Sequence, residues 1–221
     1  MDFRWDIVLS YSDLFLIGAW ITIKITAISV AIGTVLGLAI ALMRLSSFAP
    51  LRWLAIIYTD VIRGTPLLVQ IFIVFFGLPG LLGRPFDPMT AGIIALSINS
   101  GAYVAEIFRA GIQSIDKGQM EAARSLGMSY PKAMRYIILP QAFRRVIPPM
   151  GNEFIALLKD SSLVSVISLP ELAMSGKIVY GAYYRVWEAW LPVAAIYLVL
   201  VLTFSRLLAW YENRIAMKAH R

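Results

Sequence analysis

The sequence contains no cysteine and only one histidine, His220, so it can build neither a disulfide framework nor a thiolate metal site, and no metal is expected in this chain. Charge is also scarce. Only 15% of the 221 residues are charged while 59% are hydrophobic, whereas a soluble domain carries about 25% charged residues. The bilayer is therefore the first solvent to consider. No G-x-x-x-x-G-K-[ST] loop occurs, so nothing here cradles ATP phosphates, and any ATP-derived energy must come from another polypeptide. Low-complexity segments, linkers and repeats of solenoid period are missing as well, and one domain over residues 1–221 is expected. The first apolar run is too long for a cleaved signal peptide and should persist as a helix. The formal net charge is +7, but the basic residues lie between long apolar runs instead of on a compact basic surface, which argues against a nucleic-acid partner.

What is present is an all-α membrane pattern. A spanning helix needs about 20 predominantly apolar residues. Five stretches meet this: residues 14–43, 53–78, 89–108, 136–158 and 187–210. The fourth carries Arg144, Arg145, Asn152, Glu153 and a Pro148-Pro149 pair, so it must lie against protein or water. Segment 161–186, punctuated by Pro170, Gly176 and Gly181, predicts a short external helix. Gly33, Gly37 and Ala41 form a small-residue stripe suited to close helix packing.

Lys and Arg are retained on the cytoplasmic side of a membrane. One set of loops holds Arg44, Arg52, Arg109, Lys117, Arg124, Lys132, Arg135, Arg144, Arg145, Arg206, Arg214, Lys218 and Arg221, thirteen in all, and the other holds four: Arg4, Arg84, Lys177 and Arg185. That bias predicts an external N-terminus and, with five spans, a cytoplasmic C-terminus. Trp53, Trp187, Trp190 and Trp210 then fall near the interfaces.

The cytoplasmic loop predicts a stiff helix over about residues 117–127, built from good helix formers, stopped by Gly127 and prevented from continuing by Pro131. It is expected to present Met120, Ala123, Leu126 and the Glu121 carboxylate to a groove on another protein. The weakly apolar face would equally suit a helix lying on the membrane. Glu121-Ala122-Ala123, Gly127, Ile137 and Leu139-Pro140 resemble the EAA motif of membrane subunits of bacterial ABC importers, and this decides for the partner.

Three further runs narrow the resemblance to permeases for polar and basic amino acids, over nearly the whole chain. They are Arg63-Gly64-Thr65-Pro66-Leu67-Leu68-Val69-Gln70, Asn99-Ser100-Gly101-Ala102-Tyr103-Val104-Ala105-Glu106, and Lys159-Asp160-Ser161-Ser162-Leu163. The resemblance implies a type I ABC importer permease fold in the bacterial inner membrane and a non-enzymatic role. It also implies partners: a second permease subunit, identical or homologous, ATPase subunits carrying ATP and Mg, and an extracytoplasmic amino-acid-binding protein. Glu121, Ala122, Ala123 and Gly127 would form the ATPase-coupling contact.

Ionisable groups within spans cost about 2.5 to 3.5 kcal/mol each on insertion scales and mark function by default. Glu153 and Asp160 are nearly two helical turns apart, on one face and separated by about 10.5 Å. Lys159 either neutralises Asp160 or binds a substrate carboxylate. Pro66 frees the carbonyl of Ile62, so the second span must kink, and a full break would offer Thr65 to a ligand. Gln70 and Asn99 are either ligands or interhelical glue. Glu106 pairs most simply with Arg109, three residues on, and Lys24 has no partner in sequence. Substrate-binding candidates are thus Glu153, Asp160, Lys159, Thr65, Gln70 and Asn99. The cluster is net negative, so a basic amino acid, arginine first, is the expected cargo, with glutamine or glutamate as the alternative. An ion channel would need charged or carbonyl rings around an axis, and an intramembrane enzyme would need its two carboxylates closer than about 10.5 Å.

Overall fold

The computed structural model describes residues 2–219, with side chains described through residue 214; His220 and Arg221 lie outside the described residues. A short helix α1 (Trp5–Ser10) leads into α2 (Ser12–Arg44). Together with α6 (Pro88–Gln113) and α11 (Val186–Ala219), α2 is uninterrupted, and all three are long and apolar enough to cross a membrane. Two bent pairs bring the number to five when each pair is counted as one span.

The first pair is α3 (Ala49–Arg63) followed by an arm made of α4 (Leu67–Phe72), a π-turn (Ile73–Gly77) and α5 (Leu78–Leu82). The bend at Gly64-Thr65-Pro66 is 104°. The expected kink is therefore a full break, because Pro66 has no N–H to continue the ladder. The orphaned carbonyls are taken by side chains: Thr65 Oγ1 donates to the Val61 oxygen at 2.8 Å, and Gln70 Nε2 to the Ile62 oxygen at 2.7 Å.

After α6 come the short helices α7 (Lys117–Ser125) and α8 (Tyr130–Ala133). A π-turn (Met134–Ile138), α9 (Leu139–Asp160) and a 3-10 stretch (Ser161–Ile167) follow, then a 47° bend into α10 (Leu172–Tyr183). The helical run that contains residues 136–158 thus extends from Tyr130 to Ile167 and is followed by the bend. The short helix expected in segment 161–186 is α10, which packs against α2 and α11. Glu171, fully buried, caps α10 by accepting from the Ala173 and Met174 amides, each at 2.8 Å, and from the Tyr197 hydroxyl of α11 at 2.9 Å. Thr22 of α2 donates to the same carboxylate at 3.5 Å and accepts from the Leu172 amide at 3.2 Å. Three helices meet on one carboxylate.

The small-residue stripe packs closely, as expected, and its partner is α6. A Cβ on Gly33 would lie 2.9 Å from Ser100 Cβ, and one on Gly37 2.6 Å from Val104 Cγ1. Around this contact, Ile25, Ile71, Leu96, Leu157, Val164 and Leu169 form the largest core, joining α2, α4, α6, α9 and the segment after it. Trp53, Trp187 and Trp210 are exposed, but Trp190 packs on Gly176 of α10 instead of forming a belt with them, since glycine leaves the room an indole needs. The outer face of α11 exposes Leu191, Leu198, Val199 and Leu202, an apolar surface suited to lipid. Asp87 caps α6, accepting from the Thr90 amide at 3.0 Å and hydroxyl at 2.6 Å, and these bonds hold its carboxyl below the usual carboxylate range.

Candidate functional site: a divided path along α6 and α9

Helix α9 is wound so that Arg145, Pro149, Glu153, Ala156 and Asp160 recur at intervals of three or four residues and lie on one stripe. Helix α6 presents Asn99, Tyr103, Glu106 and Ala110 in the same rhythm. The break between α3 and α4 supplies the third wall. Between them lie two cavities, one after the other. The first, about 320 Å3, is lined by Thr65, Pro66, Asn99, Tyr103, Glu153 and Asp160, among others. The second, about 380 Å3, lies towards the α7 end and is lined by Arg63, Tyr103, Glu106, Ser114, Arg145 and Pro149, among others. Both volumes fall at the lower end of the range for small-molecule sites, about 300 to 1,000 Å3.

Four of the six candidate substrate residues line the first cavity: Glu153, Asp160, Thr65 and Asn99. The two carboxylates share one wall, as their seven-residue spacing implies. Lys159 does not join them. It is exposed, and among the described residues no ion pair links it to Asp160, so the first cavity holds two carboxylates and no basic side chain. Gln70 stands behind the wall. On an unbroken helix five residues would turn it about 140° away from Thr65; the break instead brings its Nε2 within 3.0 Å of Thr65 Oγ1. Its Oε1 accepts from Asn99 Nδ2 at 3.0 Å. Gln70 and Asn99 thus serve as glue between the broken helix and α6, while Asn99 also reaches the cavity lining.

Sequence reasoning assigned no role to Tyr103, which lines both cavities and divides them. Its position four residues after Asn99 was the available signal. The Arg63 guanidinium lies over its ring, 5.3 Å from the centroid. Glu106 pairs with Arg109 as expected, and additionally with Arg44 at 2.8 Å, tying α2 to α6. Lys24 is exposed on α2.

The α7 helix ends as the sequence implies. Asp116 caps it through the Gly118 amide at 2.7 Å. At the other end Gly127 has φ +81°, with its amide donating to Arg124 O at 3.0 Å and the Met128 amide to Ala123 O at 3.1 Å, a Schellman stop. The face it presents differs from the expected one. Ala123 is buried and Met120, half-buried, packs against Ile115, Ile138 and Ala142, because the π-turn lies beneath this apolar side of the helix. Glu121, Ala122 and Leu126 remain exposed, Leu126 by 84%.

Residues 33–217 match the model of the family described as binding-protein-dependent transport system inner membrane component. The chain belongs to this family. It is 48% identical over 189 residues to the arginine transport system permease protein ArtQ of Bacillus subtilis (strain 168), covering 85% of this chain and 86% of ArtQ. It is 39% identical over 215 residues to the glutamine transport system permease protein GlnP of Escherichia coli (strain K12), covering 97% and 98%. A crystal structure of an amino acid ABC transporter with histidines superposes with a TM-score of 0.93 at 48% identity, over 97% of this chain and 100% of that one. The inward-facing MetNI methionine transporter superposes with a TM-score of 0.73 at 20% identity, over 96% and 99%, which shows the shared fold alone. The chain is an amino-acid ABC transporter permease of the type I importer fold, and not an enzyme.

Proposed function

We propose that this permease imports a basic amino acid, arginine first, through the first cavity. The observation that carries the reading is the charge of that cavity: Glu153 and Asp160 line it and no basic side chain does. A zwitterion brings one charge of each sign, so a neutral amino acid leaves a carboxylate unpaired in a low-dielectric site, whereas a cationic side chain pairs it. Arginine has the further advantage of a planar fork that bonds a carboxylate in bidentate fashion. ArtQ is named for arginine and GlnP for glutamine, so the relatives bracket the choice and the cavity charge supports the first.

On this reading the chain is one transmembrane domain of the bacterial inner membrane, with its N-terminus outside and α7 in the cytoplasm. It works with a second permease subunit, an extracytoplasmic binding protein, and ATPase subunits that hold ATP and Mg. Closure of the ATPase pair moves α7 through Glu121, Ala122 and the Gly127 stop, and the attached helices expose the cavity to one side and then the other. Equilibrium binding to the purified transporter, with arginine, lysine, histidine, glutamine and glutamate compared side by side, tests the reading. Arginine is expected to bind at least about tenfold more tightly than glutamine. Equal or reversed affinities would overturn the preference.

A further inference from the structure

The second cavity has the opposite electrostatic character from the first. Its only acidic side chain, Glu106, is already engaged by Arg44 and Arg109. Its two guanidiniums form no ion pair among the described residues. Arg63 makes no ion pair among the described residues and rests on the Tyr103 ring, and Arg145 donates only to the backbone oxygen of Ser114. A space of about 380 Å3 thus holds two guanidinium groups with donors to spare.

We propose that this vestibule is a second station on the path, an anion site that takes the α-carboxylate of the departing amino acid, with Arg63 and Arg145 as its ligands. The proposal rests on the reading that an amino acid occupies the first cavity. There the carboxylates of Glu153 and Asp160 hold the cationic end of the molecule, which leaves its α-carboxylate for the next set of donors. Tyr103 is the wall between the two stations and Arg63 is the group leaning on it. A guanidinium on a phenol ring is held more weakly than one in a bidentate pair with a carboxylate. An arriving carboxylate therefore draws Arg63 off the ring and frees Tyr103 to turn. The two stations read opposite ends of one molecule, and the second hands it on.

The test uses the complete transporter in proteoliposomes, with binding protein outside and ATP inside. The lumen is loaded with either arginine or agmatine, which has the same guanidinium and no carboxylate. Initial uptake of labelled arginine is expected to fall at least about threefold further with lumenal arginine than with agmatine. In Arg63→Gln and in Arg145→Gln that difference should collapse. Arg63→Lys, which keeps the charge and loses the fork, should fall between, and it carries the test if Arg63→Gln does not assemble. Equal inhibition by the two compounds, or none by either, overturns the proposal. So does a variant that merely slows uptake while keeping the wild-type ratio, since that is what a purely structural arginine would do. The first-cavity reading fails separately, through the preference measured by external binding, and leaves the lumenal ratio unchanged.

Discussion

The side-chain amide of Asn99 on α6 donates to the side-chain oxygen of Gln70 on α4 at 3.0 Å, and both residues are buried. Gln70 in turn donates to the carbonyl of Ile62, the group left over by Pro66. A break that would otherwise strand a backbone acceptor in the bilayer is thereby closed by a side chain, and the closing residue is itself held by the helix that lines the path. Leaving such a group buried and unpaired costs about 1 to 3 kcal/mol. Gln70→Leu is expected to lower the thermal midpoint of the detergent-solubilised transporter. Gln70→Leu with Asn99→Leu should cost less than the sum of the single changes, because each single change strands the other partner. Strict additivity would show that the two amides act independently.

Glu153 is expected to set cargo charge. Uptake assays with Glu153→Gln should show arginine transport reduced about tenfold or more relative to glutamine transport. Equal loss for both, in a transporter that still assembles, would remove Glu153 from the selectivity argument.

Glu121 lies midway along the exposed α7 surface and Gly127 just beyond its C-terminal end. Glu121→Lys is expected to leave the chain inserted while substrate-stimulated ATP hydrolysis and uptake fall together, as a charge reversed at a docking contact requires. Gly127→Pro should do the same by another route, since proline cannot adopt φ +81° and has no amide to donate to Arg124. Unchanged coupling in Glu121→Lys would place the ATPase contact elsewhere.

Gly37 has no room for a side chain: a Cβ there would stand 2.6 Å from Val104 and 2.8 Å from the Gly101 oxygen. Gly37→Val should therefore separate α2 from α6 and cost about 1 to 3 kcal/mol, read as loss of thermal stability and of assembled transporter. Gly80, with nothing within 4 Å, is the control, and Gly80→Ala should leave assembly unchanged.

The absence of cysteine makes topology directly measurable. In Asp6→Cys an impermeant maleimide should label intact cells from outside, and in Ser125→Cys only after the membrane is opened. The reverse pattern would invert the bundle, and labelling of both from one side would change the span count.

Much of this arrangement was legible in the sequence for identifiable reasons. Apolar length gave the spans, the small stripe at Gly33 and Gly37 gave the α2 contact, and seven-residue spacing put Glu153 and Asp160 on one wall. Gly127 marked the end of α7. The parts that were not legible depend on partners distant in sequence. Periodicity along α7 shows an apolar stripe at Met120 and Ala123 but not which way it turns, and only Ile138, across the π-turn, decides that it faces inward. The role of Tyr103 depends on the packing of α3 on α6, which brings Arg63 at the end of α3 over its ring, a contact between residues forty apart that no local pattern predicts. The packing of segment 161–186 was not legible because the partners of Glu171 come from Thr22 and Tyr197, which no local pattern connects to it.

The Glu171 junction has a mechanical consequence. A machine that opens alternately to two sides needs a stator as well as a rotor, and a carboxylate gripped by α2, α10 and α11 makes those helices a single piece that cannot shear without stripping it of donors. The path is tied to the stator through α6, which α2 holds by its glycines, and through α9, which packs on α2 and α11. The arm beyond Pro66 has no such anchor in that junction. Whatever turns in this chain must turn about that junction.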